Sequence, residues 1–225
     1  MMKRFNICMS LVFVALIGWQ IHQLIPFQLC QLEHTNLFVG DWDWFVPFLE
    51  QLGGIGRWLG TWGIQFFSET VTGAFAFAVP VILLFVSMIG LMQHTGKPMS
   101  VWIPWATGVS ACQLLSLYDY NFYWSGALAL ALAMAGLWGI SLFKSSIRNW
   151  LFLLGIPLIA WTLGAVTCIY VLAGIILFAD RKNWIMSIAA PLTVSVALIA
   201  FFHFTGLVPS IKYLLSPVSY HELMA

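Results

Sequence analysis

The chain has 225 residues, of which 61% are hydrophobic and 8% charged, with a mean hydropathy of +0.93 and a formal net charge of +1. That balance excludes a soluble domain, and it excludes a nucleic-acid binder because no basic run exceeds two residues. Long apolar stretches alternate with short charged joints, the pattern of a polytopic helical membrane protein in which each helix satisfies its own backbone in lipid.

The first predicted element follows Met1-Met2-Lys3-Arg4 and runs apolar from Ile7 to Ile25. It is too long for the hydrophobic region of a signal peptide. It also reaches Gln23-Leu24-Ile25-Pro26 without a small-residue cleavage site, so residues 6–26 read as an uncleaved signal anchor. A polar-aromatic segment, 27–70, comes next. Six further spans are expected within 71–204, at about 71–93, 100–117, 125–143, two within 150–179, and 184–204, followed by an outer tail over 205–225.

The stretch 150–179 needs a decision. As one helix it would run about 45 Å, well beyond a hydrocarbon core of about 30 Å. A hairpin turning near Trp161-Thr162-Leu163-Gly164 resolves the excess, and charge favours it. Lys3, Arg4, Lys97, Lys144, Arg148, Arg181 and Lys182 then share the N-terminal side, leaving Arg57 and Lys212 opposite, as the positive-inside rule asks. Glu33, Asp41, Asp43, Glu50, Glu69, Asp119 and Glu222 fall on the opposite side, with Asp180 on the N-terminal side. The expected fold is therefore a single membrane domain over 1–225: an all-α polytopic transmembrane helical bundle of about seven spans with interfacial helices in its first outer loop.

Trp58, Trp62, Trp102, Trp124, Trp150 and Trp184 fall near expected span ends, where an aromatic belt sits. Cys8, Cys30, Cys112 and Cys168 have no metal-type spacing, and no metal site is expected. His22 and His203 lie in or at the ends of spans. They read either as neutral, hydrogen-bonded groups or as intramembrane functional groups. The sequence has no Gly-rich phosphate loop, no His-Glu-x-x-His and no row of intramembrane charges.

Chemistry concentrates in the first outer segment, at Gly40-Asp41-Trp42-Asp43-Trp44-Phe45. In an extended conformation Asp41 and Asp43 face one side, with Trp42 and Trp44 on the other. Such a pair suits a divalent cation, or lets one carboxylate serve as a general base. Equally, two tryptophans can anchor the loop at the headgroups while the aspartates stay hydrated. Residues 44–67 read as two short interfacial helices interrupted at Gly53-Gly54. Arg57 is the one cation near the aspartates, placed either to chelate phosphate or to snorkel to lipid headgroups. His34 beside Glu33 and the joint Tyr118-Asp119-Tyr120 offer further outward polar groups.

The order of one span, an outer segment with Asp41 and Asp43, interfacial helices and then six more spans resembles the N-terminal membrane module of the GT-C glycosyltransferase superfamily. That resemblance implies a polyprenyl-phosphate-linked sugar as donor, Asp41 or Asp43 as catalytic base, Arg57 on phosphate, and Trp42 or Trp44 stacked on sugar. The outer face, however, offers only Arg57 and Lys212 to compensate the phosphate of such a donor. A second resemblance rests on Glu33-x3-Leu37-Phe38, Asp43-Trp44-Phe45, Leu52-Gly53-Gly54 and Gln65-Phe66-Phe67. These are similar to an uncharacterised, mainly Bacteroidota, family of inner-membrane proteins that continue into a helical soluble part. It implies a bacterial inner-membrane location and a truncated or short form of the family's chain at Ala225; with the charge distribution, that location makes the N-terminus cytoplasmic and the C-terminus periplasmic.

Three functions stay open. One is the transferase. Another is a non-catalytic scaffold whose outer segment docks a protein partner, suited by exposed aromatics rimmed with carboxylates. The third is a transporter, hinted at by Gly155-Ile156-Pro157 and Ala189-Ala190-Pro191. Membrane lipid is the expected surrounding in each, and no cofactor is identified.

Overall fold

The computed structural model describes residues 17–19, 38–93, 99–116, 123–178 and 185–205. Most of the first expected span with Cys8 and His22 lies outside the described residues. So do Cys30, Glu33, His34, Lys97, the joint Tyr118-Asp119-Tyr120, Asp180, Arg181, Lys182, Trp184 and the tail beyond Thr205.

Among the described residues every regular element is helical. In chain order they are α1 (Trp42–Leu49), α2 (Gly54–Ile64), a 3-10 turn (Gln65–Ser68), α3 (Thr70–Gln93), α4 (Met99–Ser116), α5 (Trp124–Ser141), α6 (Ser145–Leu163), a second 3-10 turn (Gly164–Val166), α7 (Thr167–Phe178), a π turn (Ile185–Ala189) and α8 (Ala190–Phe204). Among the described residues four apolar stretches are long enough to cross a membrane: Val71–Gln93, Trp124–Ser141, Ile147–Phe178 and Ile185–Phe202. The 18-residue α4, expected as a span, is not among the four; Thr107, Ser110, Gln113 and Ser116 dilute its apolar character.

The chain divides into two compact units, Met1–Gly40 with Leu59–Ala131, and Asp41–Trp58 with Leu132–Ala225. In the first unit Ile64, Phe67, Ala74, Phe77, Ala78, Val81, Trp124 and Ala127 form one buried cluster, which Ile17 joins. Phe67 is its pivot, edge-on to Trp124 at 5.8 Å and tilted against Phe77 at 6.1 Å. Each such ring pair adds about 0.5–1.5 kcal/mol beyond the area it buries. The second half of α2 closes on the first turn of α5. A Cβ at Gly60 would strike Ser125, and one at Gly63 would strike the Trp124 ring. α4 is tied to α5 by the Gln113 carboxamide, which donates to the Ala127 carbonyl at 2.8 Å.

In the second unit the stretch 150–179 is not one rod. α6 ends at Gly164, whose N–H donates back to the Ala160 and Ile159 carbonyls. Gly164 sits at φ 72°, ψ −130°, a conformation that a Cβ disfavours. The chain then returns: Phe152 meets Tyr170 at 5.4 Å and Phe178 at 5.6 Å, and the Arg148 guanidinium lies 4.8 Å over the Phe178 ring. Residues early in α6 thus pair with residues late in α7, so the two helices run antiparallel. Gly155 makes room for the Tyr170 hydroxyl and Gly174 for the Phe152 ring. α8 contributes Phe202, with Leu198 beside it, to a small cluster with Ala160 and Leu52. Pro157 leaves α6 unbroken, whereas Pro191 follows directly on the π turn.

Candidate functional site

The segment predicted to carry chemistry is helical from Trp42 rather than extended. Asp41 is the N-cap of α1, at φ −93° and ψ 150°, and its Oδ1 accepts from the Trp42 amide at 2.7 Å. Its carbonyl takes the first turn's bond from the Phe45 amide at 3.2 Å. The expected alignment of Asp41 and Asp43 on one side of a strand is therefore corrected. A carboxylate at an orphaned helix amide is more favourable than one on an unpaired extended segment, because it also meets the positive end of the helix dipole. Asp43, exposed in the first turn of α1, gains from the same dipole. Pro47 lacks the N–H that would bond the Asp43 carbonyl, and the helix ends soon after, at Leu49.

The two tryptophans part company. Trp42 is 66% exposed, with its ring 5.5 Å from Phe45. Trp44 is half-buried, its ring 4.8 Å from Phe48. Phe45 in turn meets Trp58 edge-on at 5.0 Å, which ties α1 to the start of α2. Arg57 is half-buried, donates from Nη1 to Gln51 Oε1 at 2.9 Å, and stands 6.0 Å over the Phe48 ring. The structure thus gathers Arg57 with Gln51, Phe48 and the aromatic ladder, while Asp41 serves its own helix. No three metal-type ligands come together among the described residues.

What sequence reasoning missed is a glycine face. Gly56, Gly60 and Gly63 recur at intervals of four and three, one side of α2, and Gly53 stands three residues earlier in the turn before it. Gly53 has φ +70°, and its N–H donates to the Trp161 carbonyl at 2.9 Å. A Cβ there would lie 3.1 Å from Gly164 Cα, and one at Gly56 would lie 3.3 Å from both Leu163 Cδ2 and the Thr162 carbonyl. At Gly54 it would overlap the Phe48 carbonyl. The turn between α1 and α2 is therefore seated backbone-to-backbone on the turn between α6 and α7. The signal was present in the spacing, since small residues at helical period mark close backbone approach in membrane proteins. A glycine pair that breaks the segment and permits close backbone approach does not by itself name the turn that it meets.

A family model described as a family of unknown function (DUF6057) matches residues 1–225. No curated protein and no solved structure matches the chain.

Proposed function

The chain belongs to the DUF6057 family of unknown function, and we propose that it is a multi-pass bacterial inner-membrane protein whose segment Asp41–Trp58 is a fixed docking platform for a protein partner on the outer face. The observation that carries this reading is the Gly53–Trp161 hydrogen bond with its interlocked glycines, which holds the segment in one place. A platform so fixed offers Trp42, Asp41 and Asp43, all exposed. Exposed aromatics beside carboxylates suit protein recognition.

Topology belongs to the same proposal: seven crossings, N-terminus cytoplasmic and C-terminus periplasmic. Support comes from the antiparallel α6 and α7 and from the turn-to-turn contact, which requires Gly53 and Trp161 on one side of the membrane. A single crossing over 150–179 would instead leave Trp161 near mid-membrane, far from an outer segment. A photocrosslinker at Trp42 in the full-length chain tests the reading. A discrete protein adduct is expected, and recovery of lipid alone would overturn the reading.

A second reading, the GT-C-like transferase on a polyprenyl-phosphate-linked sugar, is favoured by the exposed Asp43 carboxylate beside the exposed Trp42 ring. In it Asp43 is the base, with Asp41 holding the helix start, Trp42 rather than Trp44 stacking on sugar, and Arg57 engaging phosphate. Asp43→Asn should then alter envelope glycans while leaving membrane insertion intact. Unaltered glycans with normal insertion exclude it.

A further inference from the structure

The two sides of α1 differ in chemistry. Trp44, Phe45 and Phe48 are half-buried, with Trp44 against Phe48 and Phe45 against Trp58. Asp43, Pro47 and Glu50 are exposed at i, i+4 and i+7, one face of the helix and its C-cap. Trp42 flanks that face and is 66% exposed, with the exposed Asp41 carboxylate capping the helix just before it. Residues 41–58 thus present three exposed carboxylates, Asp41, Asp43 and Glu50. Their one cation, Arg57, is half-buried, bonded to Gln51 and set over the Phe48 ring.

The ends of α1 treat their charges differently. Asp41 and Asp43 meet the positive end of the helix dipole, which stabilises them. Glu50 stands at the negative end, where a carboxylate is unfavourable, and the last turn holds no basic residue to offset it. Neither Asp43 nor Glu50 has an ion-pair partner among the described residues. Charge therefore selects the occupant of this face. Phosphate, on a lipid headgroup or on a polyprenyl carrier, is repelled by three carboxylates with no exposed cation among them. A cation is attracted. The bare indole of Trp42, set in sequence between Asp41 and Asp43, suits a guanidinium best, because that group stacks flat on a ring while its N–H edge pairs with a carboxylate.

We propose that this face of α1 receives a basic segment of the partner protein, an inference that rests on the docking reading above and adds the partner's chemistry to it. One arginine stacks on Trp42 and pairs with Asp43. A second cation neutralises Glu50, which seven residues of helix place about 10 Å farther along the axis. The partner must present two cations at that spacing.

A photocrosslinker at Pro47, inside the face and without charge, tests this in the full-length chain in isolated membranes, with the crosslinked peptide mapped by mass spectrometry. The adduct is expected on a partner peptide carrying a pair of Lys or Arg residues. Its yield should fall about three- to tenfold in Asp43→Asn/Glu50→Gln, and about two- to fivefold in Trp42→Leu. Raising NaCl from about 0.05 M to about 0.5 M should lower the wild-type yield too, an arm that needs no variant. A protein adduct that lacks basic residues, or whose yield ignores both neutralisation and salt, overturns the basic partner and leaves the platform standing. A yield unchanged by Trp42→Leu overturns the stacked arginine. Lipid alone, with no protein adduct, overturns the platform itself.

Discussion

In the first unit half of the apolar window of Val71–Gln93 is buried inside the protein, whereas in the second only 17% of the window in Ile185–Phe202 is. Both are apolar enough to span a bilayer, so hydrophobicity alone does not separate them. What differs is how much of each helix its neighbours cover, not the residue at the contact. Both units pack through rings: Phe67 against Phe77 and Trp124 in the first, and Phe152 against Tyr170 and Phe178 in the second, where Gly155 and Gly174 make room for the Tyr170 hydroxyl and the Phe152 ring. Rings fill volume between helices. In the second unit α8 keeps much of its apolar surface uncovered, with Leu192, Val196 and Phe204 exposed.

The largest effect should come from the ring core. Phe67→Ala is expected to cost about 3–5 kcal/mol, measured by unfolding in mixed micelles. A loss below about 1 kcal/mol would mean that the cluster is not the first unit's core. Next is the notch. Gly174→Leu drives a side chain into the Phe152 ring and should cost about 1–3 kcal/mol, with the antiparallel contact read by a cysteine pair engineered at positions 152 and 174. Gly53→Ala should lose about 1–2 kcal/mol from the left-handed backbone alone, and protease should then reach the segment around Leu52 sooner. Asp41→Ala removes a cap and should cost roughly 0.5–1 kcal/mol, as greater fraying of α1 in hydrogen exchange with α3 unchanged. Smallest of all, Val196→Leu on the exposed face of α8 should stay within about 0.5 kcal/mol; a larger loss would assign that face to protein packing rather than lipid.

The helical class was legible because composition and run length leave little else in a bilayer. So was the turn near Gly164, since 30 helical residues overrun the hydrocarbon core and glycine is the residue that leaves a helix most readily. The meeting of that turn with Gly53 was not legible, because nothing local encodes which two turns touch. Asp41 was misread for a different reason. Its alternation with Trp42 and Asp43 suggests a strand, but an aspartate just before an apolar run is also an N-cap signal, and once a helix starts the orphaned amide decides. In the candidate site the residues were legible and their roles were not: Arg57 and Trp44 are tied into the aromatic ladder, an outcome of packing rather than of charge.

The hydrogen bond from Gly53 to Trp161 joins partners about a hundred residues apart in the chain. During synthesis the first of them emerges long before the second. The segment around Gly53 therefore waits without its seat until the α6 turn arrives, and the Trp161 carbonyl finds its donor already delivered. Docking of this segment is in that sense a record of completed insertion. A nascent chain arrested before Gly164 should present the segment to surface proteases, and one released after α7 should not.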